Sequence, residues 1–425
     1  MSTLFYSALY LFYLGLCVWA IFKWRFFEVE GAQKKHFAFF FLLKVVAGIF
    51  LTLVYTYYYT DQSKADIYRY FNDSKVISPL LFSHPLVWLK IMTGWGIKEP
   101  GVFQYLLSTQ YFSHPGSDIV TNNTFIIRVN VLLNYLSFSN IFINTLFLNF
   151  VSFTALTALF KALRGHFSGF QEVLYLPLYL LPGVVFWSSG LLKESLLFTG
   201  VSLYLSYYLA ERRQVGWQMF LAFVGIVMVA YTKIQLVALT IALEIVFLSP
   251  NRSNRAVLRR LFIMMVMLMV GGYFWGATVC TMLIEKRNEF VELALKENAG
   301  SYFDTQVVEP SVVNLLKLVP EAFVNAVFRP FVWDSGNLFQ KVFGVENLLF
   351  LLLLIIPLRY FKFPTGDKLL VCLCFLLFAI ANYLLIVITV PIMGAIVHYR
   401  VIAEPFLLIS VLLMTDLERW KKVMG

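Results

Sequence analysis

Apolar residues fall into long runs along this chain, and the polar breaks between them alternate between rich and poor in lysine and arginine. A helix rising about 1.5 Å per residue needs roughly 20 predominantly apolar residues to cross a bilayer. Runs at 2–22, 37–60, 140–160, 170–188, 192–210, 217–232, 234–249, 261–283, 345–358, 369–390 and 400–415 predict about eleven spans. The pattern therefore predicts an all-α, polytopic transmembrane protein, with residues 1–425 forming a single integral membrane domain. Lys23, Arg25, Lys34 and Lys35 share one side with Lys161 and Arg164, with Arg212 and Arg213, and with Arg252, Arg255, Arg259 and Arg260. Arg359, Lys362 and Lys368 return to that side, as do Arg419, Lys421 and Lys422. Positive charge gathers on the cytoplasmic side, which predicts an outer amino terminus and a cytoplasmic carboxyl terminus. Two long segments, 61–124 and 284–343, then face outward. Short apolar stretches within them, 85–92 and 312–319, carry single charges and predict helices lying in the interface.

Composition narrows the class. With 60% hydrophobic, 18% aromatic and 14% charged residues and a mean hydropathy of +0.76, the chain is excluded from ordinary soluble domains. The net charge of +10 would suit nucleic acid, but the basic residues sit between apolar runs, so no nucleic-acid partner is expected. Met1 to Ala20 lacks a basic leading region and is followed by Lys23 and Arg25, which predicts a retained helix and not a cleaved signal. Cys17, Cys280, Cys372 and Cys374 lie within or at the ends of apolar runs, giving no disulfide framework. The five histidines have no metal-ligand spacing, so no zinc site is expected. Asn72-Asp73-Ser74 and Asn122-Asn123-Thr124 match the N-glycosylation pattern, which is short and common by chance.

Candidate chemistry begins where charge departs from the topology. At the exit of the second run, tyrosines 55 and 57–59 lead into Asp61, Asp66, Tyr70 and Asp73. The spacing of Asp66, Tyr70 and Asp73 puts the three on one helical face. A solvated loop start with an aromatic belt is the competing reading, and the tyrosines at 55–59 fit it. Three otherwise apolar outer turns each carry one cation: Lys193, followed by Glu194 after a Pro182-Gly183 break; Lys233; and Arg400, within His398-Tyr399-Arg400 and ahead of Glu404-Pro405. If these turns converge, the cations form an anion pocket suited to a lipid-linked phosphate. Snorkelling to headgroups competes for each of them, and a structural ion pair competes for Lys193 with Glu194. A further outer stretch, Val327 to Asp334, sets Arg329 and Asp334 around aromatic residues, a pattern that holds a sugar ring or anchors a chain at an interface.

An acidic motif on the first large outer loop, interfacial helices on that loop, a polytopic body and a late arginine beside tyrosine before a proline resemble the GT-C superfamily of integral membrane glycosyltransferases. The resemblance implies a transferase of the bacterial cytoplasmic membrane. It would take a polyprenyl-phosphate-linked sugar as donor and a glycan, lipid or protein as acceptor, among membrane lipids. It implies Asp66 as general base, Asp61 or Asp73 as second acid, and Arg400 as phosphate ligand assisted by Lys193 and Lys233. Tyr70, Glu194, Arg329, Asp334, His398, Tyr399 and Glu404 would line the substrate site. It also allows a divalent cation, Mg or Mn. The chain departs from the family in placing its acids after the second span instead of the first. The Wzy-type polysaccharide polymerases are a rival resemblance, with two sizeable outer loops, lipid diphosphate-linked substrates and dependence on Arg69, Arg329 and Arg400. A flippase or transporter could use the same charged cavity, but the Pro182-Gly183 interruption has no counterpart in a second half.

Overall fold

A computed structural model describes residues 2–58, 62, 65–113, 122–167, 169–210, 216–237, 253–296, 306–334 and 338–424. Among these residues the regular structure is helical and no strand is formed. Six helices are long and apolar enough to cross a membrane, and a bent pair raises the number to seven. The chain is thus a helical membrane protein. It divides into two compact units, one of residues Met1–Leu163 with Val185–Val237 and one of Arg164–Val184 with Ala238–Gly425.

In the first unit, α1 (Thr3–Lys23) begins at Ser2, whose side chain accepts from the Phe5 amide. It is followed by α2 (Lys34–Leu53), which continues through a wider π turn to Tyr58. Beyond them come α3 (Asp66–Ile77), α4 (Leu80–Ser83), α5 (Pro85–Thr93), α6 (Pro100–Phe103), α7 (Asn122–Ser137) and α8 (Ile141–Leu163). Helix α9 (Pro182–Trp187) leads in turn to α10 (Lys193–Leu209) and α11 (Trp217–Thr232). α10 packs on α8 and on α11. Its crossing with α11 is close because glycines meet there: a Cβ on Gly200 would lie 2.7 Å from the Gly225 oxygen. Helix α3 lies along α7, burying Ile67, Tyr70, Phe71, Ser74 and Ile77. The contact is polar at its centre. Asn134 Nδ2 donates to Ser74 Oγ at 3.0 Å and Ser78 Oγ at 2.9 Å, and Asn144 Nδ2 donates to Asn130 Oδ1 at 3.1 Å and Asn134 Oδ1 at 2.8 Å. In a protein surrounded by lipid, such amide networks hold helices together where apolar contact alone gives little driving force.

In the second unit, α12 (Asn254–Lys296) runs 43 residues, about 64 Å and roughly twice the hydrocarbon thickness. Near its carboxyl end Arg287 Nη1 donates to the Gln306 oxygen at 2.9 Å, and Asn288 exchanges two hydrogen bonds with Val308 at 2.8 and 3.1 Å. Then follow α13 (Val312–Phe328), α14 (Leu338–Leu358), α15 (Asp367–Thr389), α16 (Met393–Arg400), α17 (Glu404–Leu413) and α18 (Leu417–Met424). α16 and α17 form the bent pair, at 52°.

The structure revises the eleven expected spans. Residues 170–188 form no continuous helix: a 3₁₀ turn at Gln171–Leu174, a π turn at Leu176–Leu180 and α9 follow one another, because Pro177 and Pro182 each remove a backbone donor. The expected spans 192–210 and 217–232 exist as α10 and α11 but have 17 and 16 residues, short for a bilayer. The expected span 234–249 lies mostly outside the described residues. The expected span 261–283 is the middle of α12, and 400–415 is the second half of the bent pair. The stretches 85–92 and 312–319 are helical, as parts of α5 and α13.

Candidate functional site

The acidic face of α3 comes together around one residue of the following loop, Tyr111. Asp66 opens the helix, and its Oδ1 accepts the Tyr111 hydroxyl at 3.0 Å. One turn on, Tyr70 stacks on the Tyr111 ring, 5.3 Å between centroids and 29° from parallel. A further turn on, Asp73 accepts the backbone amides of Gln110 at 2.8 Å and Tyr111 at 2.9 Å. Arg69 lies 6.0 Å from the Tyr111 centroid. The three residues of the predicted face therefore meet one tyrosine, as helical spacing requires.

The two aspartates differ in what remains free. Asp73 is 2% exposed, and both its oxygens are taken by loop amides. Burial raises its carboxyl above the usual range, against the opposing pull of the two amides and Arg69. Asp66 is half-buried, and among the described residues it holds the Tyr111 hydroxyl. Burial, and then the Asp66 carboxylate, push the Tyr111 phenol above its ordinary value, so Tyr111 stays a donor toward Asp66. Asp73 is the anchor that folds the loop over α3. Asp73→Ala is expected to lower stability by about 2 to 4 kcal/mol, the cost of two buried amides left without acceptors, read as a fall in unfolding midpoint in detergent. A midpoint within a degree or so of wild type would remove this role. Asp61 lies outside the described residues.

The amino terminus of α10 also approaches Tyr70. Lys193 Nζ donates to Asn123 Oδ1 at 2.9 Å and lies 5.9 Å from the Tyr70 centroid, and the Tyr70 hydroxyl donates to the same Asn123 oxygen at 3.1 Å. Glu194, the next residue, is 1% exposed. Lys233, ending α11, is within electrostatic reach of both: Glu194 attracts its ammonium and Lys193 repels it. Two of the three predicted cations thus lie within electrostatic reach of each other.

The turn that presents Lys193 is wholly buried from Ser188 to Leu192. Broken backbone at this depth needs partners for its polar groups. Lys44, in the middle of α2 and 4% exposed, donates to the Ser188 carbonyl at 2.7 Å and the Ser188 hydroxyl at 2.5 Å. Ser195 Oγ donates to the carbonyls of Ser188 at 2.9 Å and Gly190 at 2.7 Å.

The remaining predicted residues gather in the second unit. Arg400 is 2% exposed. Its Nε pairs with Glu404 Oε1 at 3.0 Å across the α16–α17 bend. Its Nη1 donates to the carbonyls of Ala326 at 3.2 Å and Arg329 at 2.7 Å, closing the carboxyl end of α13. Asn347 Nδ2 caps the same end at the Phe328 oxygen, at 2.7 Å. Glu346 accepts the Gly183 amide and lies within electrostatic reach of Arg400. Arg329 lies 5.8 Å from the Phe331 centroid, and Asp334 Oδ2 accepts the Phe331 amide at 2.8 Å. His398 and Tyr399 stack at 5.3 Å, with Tyr399 against the core formed by Tyr383 and Ala326.

Sequence reasoning missed Tyr111, Asn123 and Lys44. The first two carry no local signal, since each acts only through chain folded back from elsewhere. Lys44 did carry one, a lone cation inside an apolar run. The family resemblance allows Mg or Mn. Among the described residues no group of three His, Cys, Asp or Glu side chains could hold a metal ion, and the oxygens of Asp73 face amide donors. Among the described residues the donor set does not fit a divalent cation. No protein-family model, curated protein or solved structure matches this chain.

Proposed function

We propose that this protein is a membrane glycosyltransferase that moves a sugar from a polyprenyl-phosphate-linked donor to an acceptor hydroxyl at the outer face of a bacterial cytoplasmic membrane. One observation carries the reading: a half-buried carboxylate, Asp66, accepts the Tyr111 hydroxyl, Tyr70 stacks on Tyr111, and a cation, Lys193, lies 5.9 Å from the Tyr70 centroid with Lys233 within electrostatic reach of it. Transfer needs a base for the acceptor proton and positive charge for the departing phosphate. Asp66 takes the proton as the acceptor oxygen bonds to the anomeric carbon, and the bond from that carbon to the lipid phosphate breaks. The electron pair leaves with the phosphate, where Lys193 and Lys233 stabilise it. Tyr111 holds Asp66 in orientation, and Asn123 does the same for Lys193. Arg400, engaged with Glu404 and two carbonyls, has a structural role in this reading. The polymerase alternative rests on Arg69, Arg329 and Arg400, and of these Arg69 stands beside Tyr111.

The test is conversion in liposomes holding the purified full chain, with a series of polyprenyl-phosphate-linked sugars as donors and envelope extract as acceptor. Release of polyprenyl phosphate alongside glycosylated product is expected for at least one donor. Lys193→Gln should raise the KM for that donor by about tenfold or more, the worth of one charge-assisted hydrogen bond. An unchanged KM would take Lys193 out of the phosphate site, and no release from any donor would contradict the reading.

A further inference from the structure

The turn between α13 and α14 presents an aromatic surface that the chemistry above leaves unused. The rings of Phe331 and Trp333 stack 4.9 Å apart and 6° from parallel. Trp333 is 78% exposed. The turn beneath is tightly held. Phe331 N–H donates to Asp334 Oδ2 at 2.8 Å, and Asp334 N–H donates to the Phe331 carbonyl at 3.1 Å. Arg329 lies against the Phe331 ring, and its own carbonyl is held by the buried Arg400 at 2.7 Å. From the other side α14 presses in at Gly344, where a Cβ would lie 2.9 Å from the Phe331 carbonyl carbon and oxygen. Any side chain there would push helix and turn apart.

From this geometry we infer that Trp333 and Asp334 form a binding platform for a sugar ring. A pyranose offers a face of C–H groups with slight positive charge, complementary to the negative face of an indole, and an edge of hydroxyl donors. Asp334 supplies the acceptor for those hydroxyls: Oδ2 is committed to the turn, and Oδ1 is left for the ligand. Because the stack is fixed before binding, little ordering cost opposes it. A Trp at a membrane interface is the competing use. A ligand that brings hydroxyl groups satisfies both side chains.

The experiment is saturation-transfer NMR on the full chain in a sugar-free detergent, with the methyl glycosides of glucose, galactose, mannose and N-acetylglucosamine as probes. Wild type is expected to transfer saturation to ring C–H protons of at least one glycoside. Trp333→Ala should abolish the signal, Trp333→Phe should retain part of it, and Asp334→Asn should weaken it. Equal signals from wild type and Trp333→Ala, or no signal from any glycoside, would overturn the platform. So would strong quenching of the fluorescence difference between wild type and Trp333→Phe by brominated phospholipids in nanodiscs, which would put the indole in lipid. The transferase reading fails separately. A bound glycoside with no conversion of any polyprenyl-phosphate donor leaves the platform and removes the reaction; conversion without glycoside binding does the reverse.

Discussion

Asp66→Asn is expected to lower the rate of sugar transfer by about 10²- to 10⁴-fold, the usual contribution of a positioned general base, while donor affinity stays within about twofold of wild type. Asparagine keeps the shape and can still accept the Tyr111 hydroxyl through its amide oxygen, so loop and helix remain in place. It cannot take a proton from the acceptor. Tyr111→Phe should show a smaller fall in the same direction, because it frees Asp66 to rotate without removing it. The measurement is single-turnover transfer with donor prebound, which separates the chemical step from binding. Equal loss of rate and donor affinity in Asp66→Asn would mean that Asp66 binds and does not catalyse. A rate near wild type would remove it from the chemistry altogether.

The second large effect is one of stability. Replacing Glu404 by Ala, or Arg400 by Met, should each lower unfolding free energy by about 3 to 5 kcal/mol, because either change leaves a buried charge without its partner. Arg400 and Glu404 are 2% and 5% exposed, with 3.0 Å between Nε and Oε1. Arg400 also caps two carbonyls at the end of α13, so Arg400→Met loses those contacts as well. The double variant should be less damaged than the two losses added together, since each single change strands the other charge. Denaturant titration of the four proteins in one detergent gives the coupling. A folded Arg400→Met that no longer binds donor would return Arg400 to the phosphate site implied by the family resemblance. Additive losses would show that the two residues do not depend on each other.

Much of the fold could be read in advance, and particular residues explain what could not. α1, α2, α8 and α15 coincide with long apolar runs, where the need to satisfy backbone groups in lipid leaves helix as the solution. Residues 170–188 are just as apolar, yet Pro177 and Pro182 interrupt the hydrogen-bond ladder, and hydropathy does not register a missing donor. α7 escaped notice for the opposite reason. Asn122, Asn123, Asn130 and Asn134 dilute its hydropathy, although Asn130 and Asn134 are buried and bonded to Asn144. Their partner lies across a helix junction, beyond any local pattern.

The candidate site divides in the same way. The shared face of Asp66, Tyr70 and Asp73 followed from helical spacing, because i, i+4 and i+7 positions are neighbours on any helix. Which aspartate is free and which is structural did not follow, since Gln110 and Tyr111 lie nearly forty residues on. Lys193 and Lys233 were singled out as cations in apolar turns, and Lys233 lies within electrostatic reach of Lys193. Arg400 met the same criterion, but Glu404 four residues later already offered it a counter-ion. That spacing was legible, and it marks a charge held by the fold.

The most direct test of the central claim is mass spectrometry of the lipids retained by gently purified wild type and Lys193→Gln. A polyprenyl monophosphate or its monosaccharide, enriched in wild type and lost or strongly reduced in Lys193→Gln, is the expected result. Bulk phospholipid alone in both samples would contradict a phosphate site at Lys193, and a retained lipid diphosphate-linked oligosaccharide would contradict the monophosphate donor in favour of the polymerase chemistry.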